Sequence, residues 1–167
     1  MSKAFTKGDE DLGLVEGVAP RAPLPEDAPN YVTTQGLALL HQELVGLEAR
    51  RDELASSGEE ARRAATRLTS RITELGARIA SAVVVTPASL SSRDRVLFGA
   101  TVRVKVDDGS ERSYQIVGVD EADPAQGRIA FVSPLARALA GKEPGDVVSF
   151  RSPRGVEQLE ITGVVYE

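Results

Sequence analysis

Leu54-Ala55-Ser56-Ser57-Gly58-Glu59-Glu60-Ala61 separates two apolar seams, and the reading of this stretch decides the architecture of the N-terminal half. Upstream, Leu37, Leu40, Leu44, Leu47 and Leu54 recur at alternating three- and four-residue steps once Arg51 fills one slot. That spacing marks one buried helix face, and Thr33 stands where an N-cap hydroxyl belongs. Downstream, Ala61, Ala65, Leu68, Ile72, Leu75, Ile79 and Ala82 step by four and three in the same way. Ser56-Ser57-Gly58 has the composition of a turn, which predicts an antiparallel helical hairpin over 30–85. The heptad register nevertheless runs unbroken from Leu54 through Gly58 to Ala61. A single helix over 34–82, ~73 Å long at 1.5 Å per residue, is therefore the alternative. It would place Gly58 and Arg51 in core slots, and the glycine alone costs ~1 kcal/mol relative to alanine. Charge favours the hairpin. Residues 34–56 carry four acids and two arginines, residues 61–82 one acid and five arginines, so folding back sets opposite signs against each other.

The flanks change character on both sides. Residues 1–29 are rich in proline and acids and poor in large apolar groups, as in Ala19-Pro20-Arg21-Ala22-Pro23-Leu24-Pro25. Such a segment buries too little surface to offset its ordering entropy, so a flexible tail is expected. After a linker over 86–95 the period becomes two. Thr101-Val102-Arg103-Val104-Lys105-Val106 alternates as a half-buried strand does. Asp107-Asp108-Gly109-Ser110 turns the chain back into Ser113–Val117. Further strands are expected at Arg128–Val132, Val147–Arg151 and Glu157–Val165. One helix interrupts them, with Ser133 as N-cap, Pro134 at the first helical position and Gly141 beyond the end. An antiparallel sheet with one short helix over 96–167 makes the class α+β.

Composition narrows the chemistry. There is no cysteine, and His41 is the only histidine, which removes disulfides, thiolate metal sites and two-histidine metal sites. No apolar run approaches the ~18 residues of a membrane span, and no secretory signal is visible at the N-terminus. A cytoplasmic monomer without membrane contact is expected. Net charge is −3 over residues 1–30, 0 over 31–85 and −2 over 86–167, too acidic to hold duplex DNA by counterion release. Nucleic acid would be met through another protein. Gly141-Lys142 lacks the rest of a P-loop. Arg62, Arg63, Arg67 and Arg71 read as a solvated face paired with the acidic first helix.

Five motifs then occur in order: Phe98-Gly99-Ala100-Thr101-Val102, Tyr114-Gln115-Ile116-Val117-Gly118, Asp120-Glu121-Ala122-Asp123, Ser133–Leu139 and Gly141–Val148. Together they resemble the C-terminal domain of bacterial Gre transcript-cleavage factors. Met1–Thr6 and Asn30–Leu37 are similar to the GreB branch. The resemblance covers roughly residues 96–166 and the helix start near residue 33. It implies an FKBP-like C-terminal domain behind a coiled-coil hairpin, which decides between the hairpin and the single helix. It further implies a regulator that docks at the secondary-channel rim of RNA polymerase, not an enzyme in its own right, and needing no cofactor of its own. The matching contact residues are Asp120, Glu121, Asp123, Ser133, Pro134 and Leu135. Ser133-Pro134 also has its plain structural role as a cap, and the three acids also read as a solvated turn before Pro124.

In the family the hairpin tip carries Gly-Asp-x-x-Glu-Asn-Ala-acid-Tyr, whose carboxylates help hold Mg²⁺. Here Gly58 is followed by Glu59 in place of the aspartate, Arg62 stands where the glutamate belongs, and Ala65 lies near the position of the next acid. Only Glu59 can inherit a role, with Glu60 an additional carboxylate. Acids ahead of a helix are commoner as partners of its dipole. Each arm is also shorter than the family's by roughly nine residues, or ~13 Å. The expectation is binding without stimulation of cleavage. The alternatives are an active cleavage factor using Glu59 and Glu60, or a dimeric coiled-coil interaction protein.

Overall fold

The structure, a computed structural model, describes residues 21–167. Two helices, α1 (Thr34–Ala55) and α2 (Glu59–Ala80), pack side by side as a hairpin, each about 33 Å long at 1.5 Å per residue. Thr33 caps α1 as expected, its hydroxyl accepting from the Gly36 amide at 2.9 Å. The reversal between the helices happens at Ser56-Ser57-Gly58. Gly58 adopts φ +109°, which a side chain would strain, so the one glycine in the heptad slot marks the turn. Leu40, Leu68 and Leu75 are buried along the seam, with Leu37, Leu44, Leu47 and Ile79 half-buried beside them. Each fully buried leucine contributes about 1.5–3 kcal/mol. Arg51, in the missing slot, is half-buried and donates to Asp52 at 2.9 Å. His41 is exposed on α1.

The open end of the hairpin is closed by two short strands, β1 (Asn30–Val32) and β2 (Ala82–Val84), paired in parallel. Asn30 is buried there, and its side-chain amide donates to the Arg78 carbonyl at 2.9 Å and the Ser81 hydroxyl at 3.1 Å. The buried amide is satisfied and so costs little.

The second half is a five-stranded sheet: β3 (Thr101–Val106), β4 (Glu111–Val117), β5 (Arg128–Ala130), β6 (Val147–Ser152) and β7 (Gly155–Val165), in the order β5-β4-β3-β7-β6. Val102, Val104 and Val106 of β3 point into the core, as their alternation predicts. Pairing of β3 with β7 slips by one residue between Arg103 and Val104, leaving Thr162 as the extra residue. Such a bulge bends and twists the sheet. The helix α3 (Pro134–Leu139) covers it, burying Ala136 and Leu139.

Two expectations need correction. The sheet is antiparallel except at its edge, where β5 runs parallel to β4, Ile116 opposite Ile129. The ten-residue connection over 118–127 forms two 3₁₀ turns and returns the chain to its starting side. A tight hairpin turn could not. β5 also ends at Ala130 and not at Val132, because the Ser133 amide donates back to the Ala130 carbonyl at 2.8 Å and turns the chain into α3. The expected tail lies outside the described residues as far as residue 20. Of the remainder, Arg21 is half-buried against both halves of the molecule.

Candidate functional site

The expected contact residues come together because β5 lies parallel to β4. That pairing sets Val117 opposite Ala130, and the Phe131 amide donates to the Val117 carbonyl at 2.9 Å. The segments 118–123 and 131–135 therefore leave the same sheet edge side by side. Within them the side chains divide into two groups, one facing solvent and one facing the hairpin.

Pro134 is exposed, and Ser133 and Leu135 beside it are half-buried. The Ser133 hydroxyl accepts from the Ala136 amide at 3.3 Å, and Leu135 packs on the sheet core. The result is a rigid corner with a proline ring at its outer edge. Asp123 is half-buried. Its carboxylate accepts from the Ala125 amide at 3.2 Å and lies 3.6 Å from the Arg128 guanidinium. It stands at the opening of its own turn, and 36% of its side chain remains exposed to an incoming group.

Asp120 and Glu121 face inward. The Asp120 side chain is only 3% exposed; its carboxylate accepts from Arg21 at 2.8 Å and lies 3.6 Å from Arg78 of α2. Glu121 accepts from the Thr33 amide at 3.0 Å, from the Thr33 hydroxyl, and from the Gly118 amide at 3.2 Å. Both acids join the sheet domain to the hairpin base. Charged acceptors at a helix N-terminus are favoured by the free amides and the dipole there.

Two further parts of this junction escaped the sequence reading. Tyr31 of β1, Phe98 and Phe131 form a triangle of rings with centroids 5.5–5.7 Å apart, tilted or edge-on to one another. Aromatic pairs at such spacing add about 0.5–1.5 kcal/mol beyond area burial. Their separation in sequence hides the cluster. Arg21 bonds Glu43 of α1 as well as Asp120. Burial alone would lower its pKa, but these two carboxylates outweigh that and hold it above the ordinary value. Only its position as the lone base in a proline-rich stretch could have drawn attention to it.

Glu59 and Glu60 lie at the other end of the molecule, ~33 Å along the hairpin. Both are exposed in the first turn of α2. Glu59 accepts from Arg63 at 3.3 Å, a solvent-exposed pair four residues apart, of the kind that contributes about 0.3–0.5 kcal/mol. Arg51 and Arg62 line an open groove beside them with Thr66, Thr69 and Ser70. Among the described residues no three of His, Asp and Glu converge as a metal site would require, and no helix is long and apolar enough to cross a membrane.

Residues 91–166 match the family model for the transcription elongation factor GreA/GreB C-terminal domain. The chain is 37% identical over 156 residues to the transcription elongation factor GreB of Neisseria meningitidis serogroup B, an alignment covering 84% of this chain and 96% of that protein. It is 47% identical over 97 residues to the transcription elongation factor GreA of Alkalilimnicola ehrlichii, covering 58% of this chain but only 61% of that relative's length. Among solved structures, GreA factor homolog 1 of Thermus thermophilus is 24% identical, with 83% of this chain and 99% of that one aligned at a TM-score of 0.41. A near-complete relative above one-third identity and a family model seated on the sheet domain lead to one assignment: the chain belongs to the GreA/GreB family of transcription elongation factors.

Proposed function

We propose that this chain binds bacterial RNA polymerase at the rim of the secondary channel and regulates elongation without stimulating transcript cleavage. Docking falls to the corner at Ser133, Pro134 and Leu135, with Asp123 beside it. Asp120 and Glu121 contribute by holding that corner against the hairpin, since their carboxylates are already bonded inside the molecule. The factor is not itself an enzyme, it acts as a monomer, and it meets nucleic acid only through the polymerase.

The observation that carries the second half of the reading is the tip. Mg²⁺ requires oxygen ligands in near-octahedral array at ~2.0–2.1 Å. Glu59 is instead paired with Arg63, and Arg62 stands one turn along the same helix. An arginine there repels the cation. Hairpin length supports the same conclusion. The alignment with the Neisseria protein runs over 156 residues but uses 84% of 167 here, about 140, leaving about 16 positions without a counterpart. Two arms each about eight residues short would account for all of them, close to the nine per arm that the resemblance implies.

The test is a cleavage assay on backtracked elongation complexes with polymerase binding measured in parallel. Binding without added cleavage is expected. Cleavage by the unmodified protein, abolished by Glu59→Ala, would replace this reading by one in which Glu59 and Glu60 serve as metal ligands.

A further inference from the structure

The junction between hairpin and sheet domain contains two kinds of contact. The Glu121–Thr33 bonds and the Tyr31–Phe98–Phe131 rings all act at the start of α1 or just before it. Contacts gathered at one end of a rod fix a pivot and leave its angle free. Arg21 acts elsewhere. Its guanidinium reaches Glu43, nine residues along α1 from Thr34, or ~13 Å from the pivot. The other arm of the same guanidinium holds Asp120 of the sheet domain at 2.8 Å. On the opposite helix, Arg78 donates to the Ala22 carbonyl at 2.6 Å and approaches Asp120 at 3.6 Å. The Asp120 carboxylate thus joins the N-terminal segment and α2 to the sheet domain, and Arg21 carries the connection on to α1 through Glu43.

We propose that Arg21 is a positioning residue: the segment at 21–22 is a brace that sets the angle between hairpin and sheet domain, and so where the hairpin tip lies. A brace at ~13 Å commands a hairpin of ~33 Å, so a 10° change of angle displaces the tip by roughly 6 Å. A planar guanidinium suits this task because its fork spans two carboxylates at once, which an ammonium does not do with the same geometry. Sheltered from water, with Arg21 19% and Asp120 3% exposed, the pair is screened less by salt than a surface pair. The inference concerns the free protein and stands apart from polymerase binding.

The chain has no cysteine, so spin labels at Ser57→Cys on the tip and Lys105→Cys on the sheet report this angle through their distance distribution. The full chain should give one narrow distribution. Arg21→Gln should broaden it or shift its mean by about 5 Å or more, with helix and sheet circular dichroism unchanged. Arg21→Lys should lie between the two. Deleting residues 1–20 should leave the distribution as it was, whereas deleting residues 1–22 should reproduce Arg21→Gln. A distribution unmoved by Arg21→Gln overturns the proposal, and so does one already broadened by loss of residues 1–20 alone.

Discussion

Glu121 occupies the space that a side chain on Gly36 would need. A Cβ built on Gly36 would lie well inside van der Waals distance of the Glu121 carboxyl carbon. The glycine sits in the first turn of α1, where it is a poor helix former, yet its bareness lets a carboxylate from the sheet domain close over the helix start. Gly118 does the same from the other side, where a Cβ would meet the Tyr31 carbonyl at 2.6 Å. Two glycines far apart in sequence allow one acid to tie the halves together.

Gly36→Ala should therefore destabilise the protein although alanine favours helix. Displacing Glu121 forfeits bonds worth about 1.5–3 kcal/mol, against a propensity gain of ~1 kcal/mol, for a net loss of about 1 kcal/mol. In a Glu121→Ala background the same substitution should be neutral or stabilising. Urea unfolding of the four proteins of the cycle measures this, and an equal cost in both backgrounds would show that Glu121 is not the cause.

Ser133→Ala should cost ~1 kcal/mol of stability through the lost cap, read as a lower urea midpoint. Pro134→Ala should weaken polymerase binding more than folding, because its ring is exposed and makes no core contact. Equal losses of binding and stability at Pro134 would leave it a structural residue only.

Tyr166 should give the fold a pH limit on the alkaline side. Its hydroxyl donates to the Arg95 carbonyl and accepts from the Leu97 amide at 2.9 Å. Burial raises its pKa above the ordinary value near 10, and the Leu97 amide offsets this only in part. The unfolded chain gives up this proton first. Stability is accordingly full below pH 10 and falls as pH rises through the folded pKa. Tyr166→Phe should flatten that limb and cost about 1 kcal/mol at neutral pH, both visible in thermal melts from pH 8 to 11.

Arg62→Glu alone should leave the protein unable to stimulate transcript cleavage. The substitution removes the repelling charge but adds no length, and inner-sphere coordination cannot bridge ~13 Å. Lengthening both arms by whole heptads together with a complete acidic tip should be required. Activity gained from Arg62→Glu by itself, in the backtracked-complex assay, would show that reach is not limiting.

What the sequence determined by itself is what depends on near neighbours. The two seams, the Ser56-Ser57-Gly58 turn, the Thr33 and Ser133 caps and the alternation through Val102, Val104 and Val106 all follow from spacings of two to four residues, and the structure repeats them. The α+β division was legible for the same reason, whereas the five Gre-like motifs were legible by their resemblance to a known family. Tertiary structure alone decided the rest, because those contacts join residues 22 to 99 positions apart, whose pairing no local period encodes. By resemblance Asp120 and Glu121 are contact residues and by composition a solvated acidic turn, and only the parallel return of β5 beside β4 turns them towards Arg21 and Thr33. The prolines around Arg21 predict a loose segment by composition, and composition does not show the buried Asp120 carboxylate that Arg21 and Arg78 face. Arg21 is held by two carboxylates, Glu43 of the hairpin and Asp120 of the sheet domain, and the geometry of that fork exists only once both halves have folded.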